Sequence, residues 1–297
     1  MASNDGNPER GPRRWWQWPT VLSLDAPAVA LAWQWEMARA AGVTLGVAPR
    51  FVLAASVWLS YAGDRWLEGL RLAPAQILTH RHSFYQRRRR AIAVVGTAVL
   101  AADLAVAERY LPPADLMAGL VLLGAVLAYL LSHQLIHRRK PWRLPKEACV
   151  ALLLTSGAAL FVLAGRPALW LSLSAPLGLF AGLCFANCAL ISRWEREVDR
   201  GHGQTSLVRQ FRGAAAFSRA LPWALAALAA VAAVAAPECG RPAALCACAS
   251  GLLLGLVDLA EPRLGRQAAR VLADVALLTP AGPLLLQAAR HAWGGSP

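Results

Sequence analysis

The sequence predicts an all-α, multi-pass membrane bundle of about nine transmembrane helices. Three observations carry this prediction. First, 57% of the 297 residues are hydrophobic and only 16% are charged, with a mean hydropathy of +0.42. A soluble domain carries roughly 25% charged residues. Second, nine apolar runs, most of them about 20 residues long, succeed one another between Pro, Gly and Arg clusters; that is the length a bilayer-crossing helix needs. Third, with the N-terminus placed in the cytoplasm, 24 of the 30 Lys and Arg residues fall on the cytoplasmic side of the alternation, as the positive-inside rule requires.

Residues 1–18 form a polar, basic cytoplasmic tail that ends in Trp15, Trp16 and Trp18, residues suited to a membrane interface. Asp25, Trp33, Trp35 and Glu36 follow too soon for the apolar core of a cleaved signal peptide. The apolar runs lie near 21–42, 47–67, 91–109, 113–133, 147–165, 168–191, 219–236, 242–259 and 268–289. Each is read as a helix, because backbone groups inside a bilayer must be satisfied within their own segment. Residues 19–297 are therefore expected to form a single transmembrane domain, an integral protein of a bacterial inner membrane with a cytoplasmic N-terminus.

Composition excludes several classes. Disorder and disulfide scaffolds do not fit so apolar a chain with six scattered cysteines. Cys149, Cys184, Cys188, Cys246 and Cys248 lie inside apolar runs, where cysteine behaves as a small hydrophobe. The net charge of +13 rests almost wholly on arginine, which favours bidentate contact with phosphate or carboxylate. No nucleic acid partner is expected, since the basic runs lack interleaved stacking residues and any known module. The Arg87–Arg90 run is read instead as a contact for anionic membrane lipids.

Two acidic motifs stand out. Tyr61-Ala-Gly-Asp64-Arg65-Trp-Leu-Glu68 closes the second run, and Glu195-Arg-Glu-Val-Asp199-Arg200 closes the sixth. Asp64 and Glu68, like Glu195 and Asp199, are spaced i,i+4, which on a helix directs both carboxylates to one face. Like charges at that spacing repel, and a helix C-terminus favours cations. Arg65, Arg200 or a divalent cation could offset the charge, and Mg²⁺ characteristically takes one or two carboxylates plus phosphate oxygens and water. Four helices separate the two motifs, so both reach the same membrane face. Spans 1–4 and 5–8 are accordingly expected to form a repeat, with span 9 added.

These residues resemble the UbiA superfamily of intramembrane prenyltransferases, whose signature is two aspartate-rich motifs at the cytoplasmic ends of the second and sixth helices. Glu195-x3-Asp199-x3-Gly203-x2-Ser206-Leu207 is similar to that family's second motif with two conservative exchanges. Thr79-His-Arg81 and Lys140-Pro-Trp-Arg143-Leu-Pro-Lys146-Glu147 resemble its segments before the third and fifth helices. The first motif departs from the family's: Ser60 and Tyr61 stand where Asn and the first Asp would be, and Glu68 replaces the last Asp.

The resemblance implies a UbiA-like fold and Mg²⁺-dependent transfer of a prenyl group from an isoprenyl diphosphate to a lipophilic acceptor, aromatic in some members. It implies Mg²⁺ ligation by Asp64, Glu68, Glu195 and Asp199, which would be the catalytic set. It implies diphosphate contacts from Arg65, Arg81, Arg143, Lys146 and Arg200, with Asn187 orienting a metal-bound water or ligand. The altered first motif keeps a second reading open, a non-catalytic UbiA-like protein that binds a prenyl lipid. Asp25, Glu36, Asp103 and Asp274 inside the runs keep open a third, a small transporter.

Overall fold

A computed structural model describes residues 14–71, 80–132, 145–201 and 206–285; the side chains of residues 71, 80–82, 199 and 201 lie outside the description. All regular structure among these residues is helical. A short 3-10 turn at Trp15–Gln17 leads into α1 (Trp18–Val21), α2 (Asp25–Ala40), α3 (Val47–Arg71) and the short α4 (His80–Arg87). Next come α5 (Arg89–Tyr110), α6 (Pro113–Leu131), α7 (Lys146–Leu163) and α8 (Leu169–Trp194). After the brief α9 (Arg196–Gly201) and α10 (Leu207–Gln210), the chain continues as α11 (Ala214–Ala235), α12 (Arg241–Leu264) and α13 (Arg266–Ala276).

The nine apolar runs correspond to α2, α3, α5, α6, α7, α8, α11, α12 and α13. Six of these, α5 to α8 with α11 and α12, are long and apolar enough to cross a membrane. The faces of α5 and α6 are almost wholly exposed and carry Val94, Met117 and Val121 outward. An outward apolar surface of this extent is what a lipid-facing helix presents. The chain is an integral membrane protein.

Two expected helices are shorter than their apolar runs. The first begins at Asp25 rather than residue 21, because Ser23 takes a left-handed φ of 57° and separates α1 from α2. The ninth stops at Ala276 and resumes only at 281–285. Pro280 has no N–H to continue the ladder and disfavours helical backbone at the residue before it. Thr279 fixes the break: its Oγ1 donates to the Cys246 carbonyl at 2.8 Å, which leaves Ser250 Oγ to donate to Thr279 at 2.7 Å.

The core lies between α2, α7, α8, α12 and α13. Trp33 is fully buried and stacks on Phe180 with centroids 4.6 Å apart, while its indole N–H donates to the Leu277 carbonyl at 2.9 Å. One stack and one hydrogen bond thus join α2, α8 and the turn after α13. Trp194, which its position at a helix end marks as an interfacial anchor, is instead buried and donates to Asp258 Oδ1 at 3.0 Å. Arg193 completes that cluster by pairing with Asp258.

Glycine decides how close two helices come. A Cβ on Gly255 would lie 2.5 Å from the Trp223 ring, and one on Gly251 would lie 2.8 Å from the Pro222 carbonyl. The absence of those carbons lets α11 and α12 pack along their lengths. The consecutive pair α5 and α6 behaves differently. Helix α5 packs on α3 and α6 packs on α7, with no extensive contact between the two. Their separation leaves room for a cavity.

Candidate functional site

A cavity of about 630 Å³ lies between α3, α5, α6, α7 and α8, within the usual range for a small-molecule site. Its lining runs along α7 from Lys146 to Phe161, about 22 Å of helix. The two ends differ in chemistry. One is formed by the C-terminal ends of α3 and α8 with α13 and the N-terminal ends of α2 and α7, and holds most of the charged side chains. The rest is walled chiefly by leucines and valines, such as Leu104, Leu123, Val126 and Leu154.

At the charged end, Asp64 and Glu68 lie one turn apart on the continuous helix α3. Both line the cavity. Arg65 Nη1 is 3.3 Å from Glu68 Oε2. Because Glu68 is three residues after Arg65, the pair forms on one helix face and offsets the charge of the acidic pair. Tyr61 and Ser60 continue the α3 side of the lining; they occupy the positions where the sequence departs from the aspartate-rich pattern.

The second acidic pair is built otherwise than its spacing predicts. Helix α8 ends at Trp194, and Glu195 is its C-cap, with an N–H that donates to Ile191 O at 2.8 Å. Asp199 sits on the separate α9. Glu195 therefore stands at a helix break, and the backbone of Asp199 belongs to the short helix that follows it. A carboxylate at a helix C-terminus opposes the dipole, and the compensation comes from outside the motif: Arg270 Nη1 on α13 lies 2.6 Å from Glu195 Oε1. Both partners line the cavity. The side chain of Asp199 lies outside the described residues.

Of the expected phosphate contacts, Arg65 and Lys146 line the cavity. Arg200 is exposed and pairs with Glu197 at 3.6 Å, and it does not line the cavity. Arg143 and the Arg81 side chain lie outside the described residues. Asn187 lines the cavity and donates through Nδ2 to Asp274 Oδ1 at 2.9 Å. Its Oδ1 is buried without a hydrogen-bond partner.

At the charged end, sequence reasoning did not assign Asp25, Tyr61, Glu147, Arg270 and Asp274 to the site, and all of them line the cavity. Asp25 opens α2, where the helix N-terminus favours an acid. Glu147 is 1% exposed; Oε1 accepts the Leu207 N–H at 3.0 Å, and Oε2 is buried without a partner. It thereby holds the segment that follows the second acidic motif against α7. For the four charged residues, the forewarning in the sequence was a charge beside or inside an apolar run. Glu36, by contrast, pairs with Arg39 at 2.5 Å and stands apart from the cavity.

Helix α4 lies beside this end. It packs on α3 and α1, and the hydroxyls of Tyr85 and Ser23 are 3.1 Å apart. Burial raises the Tyr85 phenol above its ordinary value; the hydrogen bond with Ser23 and the nearby Arg65 act in the opposite direction.

A bound Mg²⁺ would need hard oxygen donors at the charged end. Among the described residues, no three His, Cys, Asp or Glu side chains converge tightly enough to hold a metal by themselves. The chemistry of Asp64, Glu68 and Glu195 nevertheless fits Mg²⁺, which needs only one or two carboxylates when phosphate oxygens and water complete its shell.

No family profile and no curated protein sequence matches the chain. Among solved structures, the chain is similar to the apo structure of a UbiA homolog from Aeropyrum pernix K1, with a TM-score of 0.57 and 18% identity over 90% of this chain and 98% of that one. At that identity the likeness speaks for architecture: the chain has the UbiA fold.

Proposed function

We propose that the protein transfers a prenyl group from an isoprenyl diphosphate to a lipophilic acceptor inside the membrane. The observation that carries this reading is the two-part cavity, with carboxylates, Arg65, Lys146 and Arg270 at one end and an apolar chamber behind them. A diphosphate joined to a hydrocarbon tail has the same two-part chemistry. The separation of α5 from α6 gives an apolar molecule a route from the bilayer into the chamber.

In this reading the diphosphate lies at the charged end, which faces the cytoplasm. Asp64, Glu68, Glu195 and Asp199 would hold Mg²⁺, which when bound supplies a counter-charge for the leaving oxygens. Arg65 and Lys146 contact the phosphates, and Arg81 and Arg143 are proposed to join them. Cationic groups placed where negative charge grows stabilise the transition state more than the ground state. Breakage of the allylic C–O bond sends its electron pair to the diphosphate. The acceptor then bonds to the allylic carbon and gives up a proton. The leucine walls exclude water, which would otherwise capture the allylic cation.

A second reading has its own support. Glu68 and Glu195 already have arginine partners, a pattern that would suit a protein that binds a prenyl lipid without transforming it. Diphosphate release separates the two. Purified protein, geranylgeranyl diphosphate and Mg²⁺ are incubated with lipophilic phenols and alcohols. Acceptor-dependent release of diphosphate supports transfer; binding without release in any acceptor's presence supports the carrier.

A further inference from the structure

Outside the charged end two acids line the cavity, Asp115 at the start of α6 and, deeper in the apolar chamber, Asp103. On α3, Ser56 lies two turns from Asp64, and its Oγ donates to Asp103 Oδ2 of α5 at 2.8 Å. Both residues line the cavity. Asp103 is 7% exposed, and its Oδ1 is buried without a hydrogen-bond partner. An acid among hydrocarbon walls is unfavourable. An isoprenyl tail has no polar atom to offer it. Ser56 and Ser60 also place two hydroxyls on the wall that leads from this pair towards Asp64, whereas the facing walls of α6 and α7 are apolar at the same depth.

We infer that the Ser56–Asp103 pair is a binding site for a hydroxyl group carried by a lipophilic ligand, about 12 Å along α3 from the diphosphate end. Asp103 consumes the Ser56 proton, so Ser56 Oγ presents its lone pairs to the cavity and takes a donor. Asp103 is the positioning residue, because it fixes the direction of the serine hydroxyl. The site is too far from Asp64 to touch the reacting carbon. It recognises a remote hydroxyl on a long apolar molecule, and so distinguishes such a ligand from a plain hydrocarbon of equal length. This inference rests on the proposed location of the diphosphate.

The test uses two probes, decyl diphosphate and ω-hydroxydecyl diphosphate, each with Mg²⁺ and the purified full-length protein. The readout is the ratio of their affinities. Ser56→Ala is expected to shift that ratio against the hydroxylated probe by about tenfold, the weight of one hydrogen bond to a buried polar group, and to leave decyl diphosphate unaffected. Asp103→Asn, which still accepts from Ser56, keeps the ratio. Asp103→Leu loses it without loss of thermal stability in the absence of ligand, which a purely structural Ser56–Asp103 hydrogen bond would not allow. An unchanged ratio in Ser56→Ala overturns this inference alone. Failure of both probes to bind the wild-type protein overturns the diphosphate location, and this inference with it.

Discussion

Arg270 Nη1 lies 2.6 Å from Glu195 Oε1, so the last described long helix supplies the counter-charge for the first acid of the second acidic motif. The two side chains are 75 positions apart in sequence and both only 16% exposed. A carboxylate at the C-terminus of α8 would be unfavourable alone. With Arg270 in place it can stand at the mouth of the cavity while one oxygen stays in use.

The pair predicts an asymmetric response to mutation. Removal of one member of a mostly buried ion pair leaves the other uncompensated and destabilises by roughly 3 kcal/mol. Arg270→Ala should therefore lower the melting temperature clearly, and adding Glu195→Gln should restore most of the loss. Thermal melts of the two single variants and the double variant complete the cycle.

Glu147 predicts a second effect. Its Oε1 accepts the Leu207 N–H, and the acid is fully buried. Glu147→Ala removes a charged acceptor and leaves that N–H unsatisfied, a change of about 1.5–3 kcal/mol. The melting temperature should then fall clearly, and Glu147→Gln, which keeps an acceptor for the Leu207 N–H, should restore most of the loss in thermal melts.

The α11–α12 contact can be tested at two glycines. Gly255→Ala places a carbon against the Trp223 ring, where the two helices already touch. Overpacking of this kind destabilises by about 1–3 kcal/mol. Gly96→Ala on α5, with no neighbouring atom within 4 Å, should be neutral or slightly stabilising through helix propensity.

Much of the fold was legible in the sequence because membrane helices announce themselves by length and apolarity. The cavity followed less directly. Asp64 and Glu68 could be paired from their spacing, since α3 is continuous through both. Glu195 and Asp199 could not, because α8 ends at its cap, Glu195, and Asp199 belongs to a separate short helix. Arg270 and Asp274 reach the site from α13, Asp25 from α2 and Glu147 from α7; sequence spacing relates none of these to the acidic motifs. The shortening of the ninth helix depended on Pro280, within a run whose apolarity alone called for a longer span.

Tyr85 makes the contact of α4 with Ser23 sensitive to alkali. Burial holds its phenol above the ordinary value of 10.0. The unfolded chain therefore loses this proton at lower pH than the folded one. The stability contributed by Tyr85 is complete below pH 10.0, and it falls as pH rises through the raised folded value. Tyr85→Phe should flatten this part of the pH profile and lower stability at neutral pH by about 1 kcal/mol through loss of the hydrogen bond with Ser23. Denaturation midpoints measured from pH 8 to 11 would check both.

The most direct test of the central claim is thermal stability of the purified protein with geranylgeranyl diphosphate, first with Mg²⁺ and then with EDTA, beside an Asp64→Asn/Glu68→Gln variant. A ligand at about 100 times its dissociation constant adds about 2.7 kcal/mol to the native state. The account predicts a stabilisation of that order with Mg²⁺, lost in EDTA and lost in the variant, while the unliganded variant still melts cooperatively. A well-folded wild-type protein that shows no shift, or one that survives both EDTA and the double substitution, would contradict it.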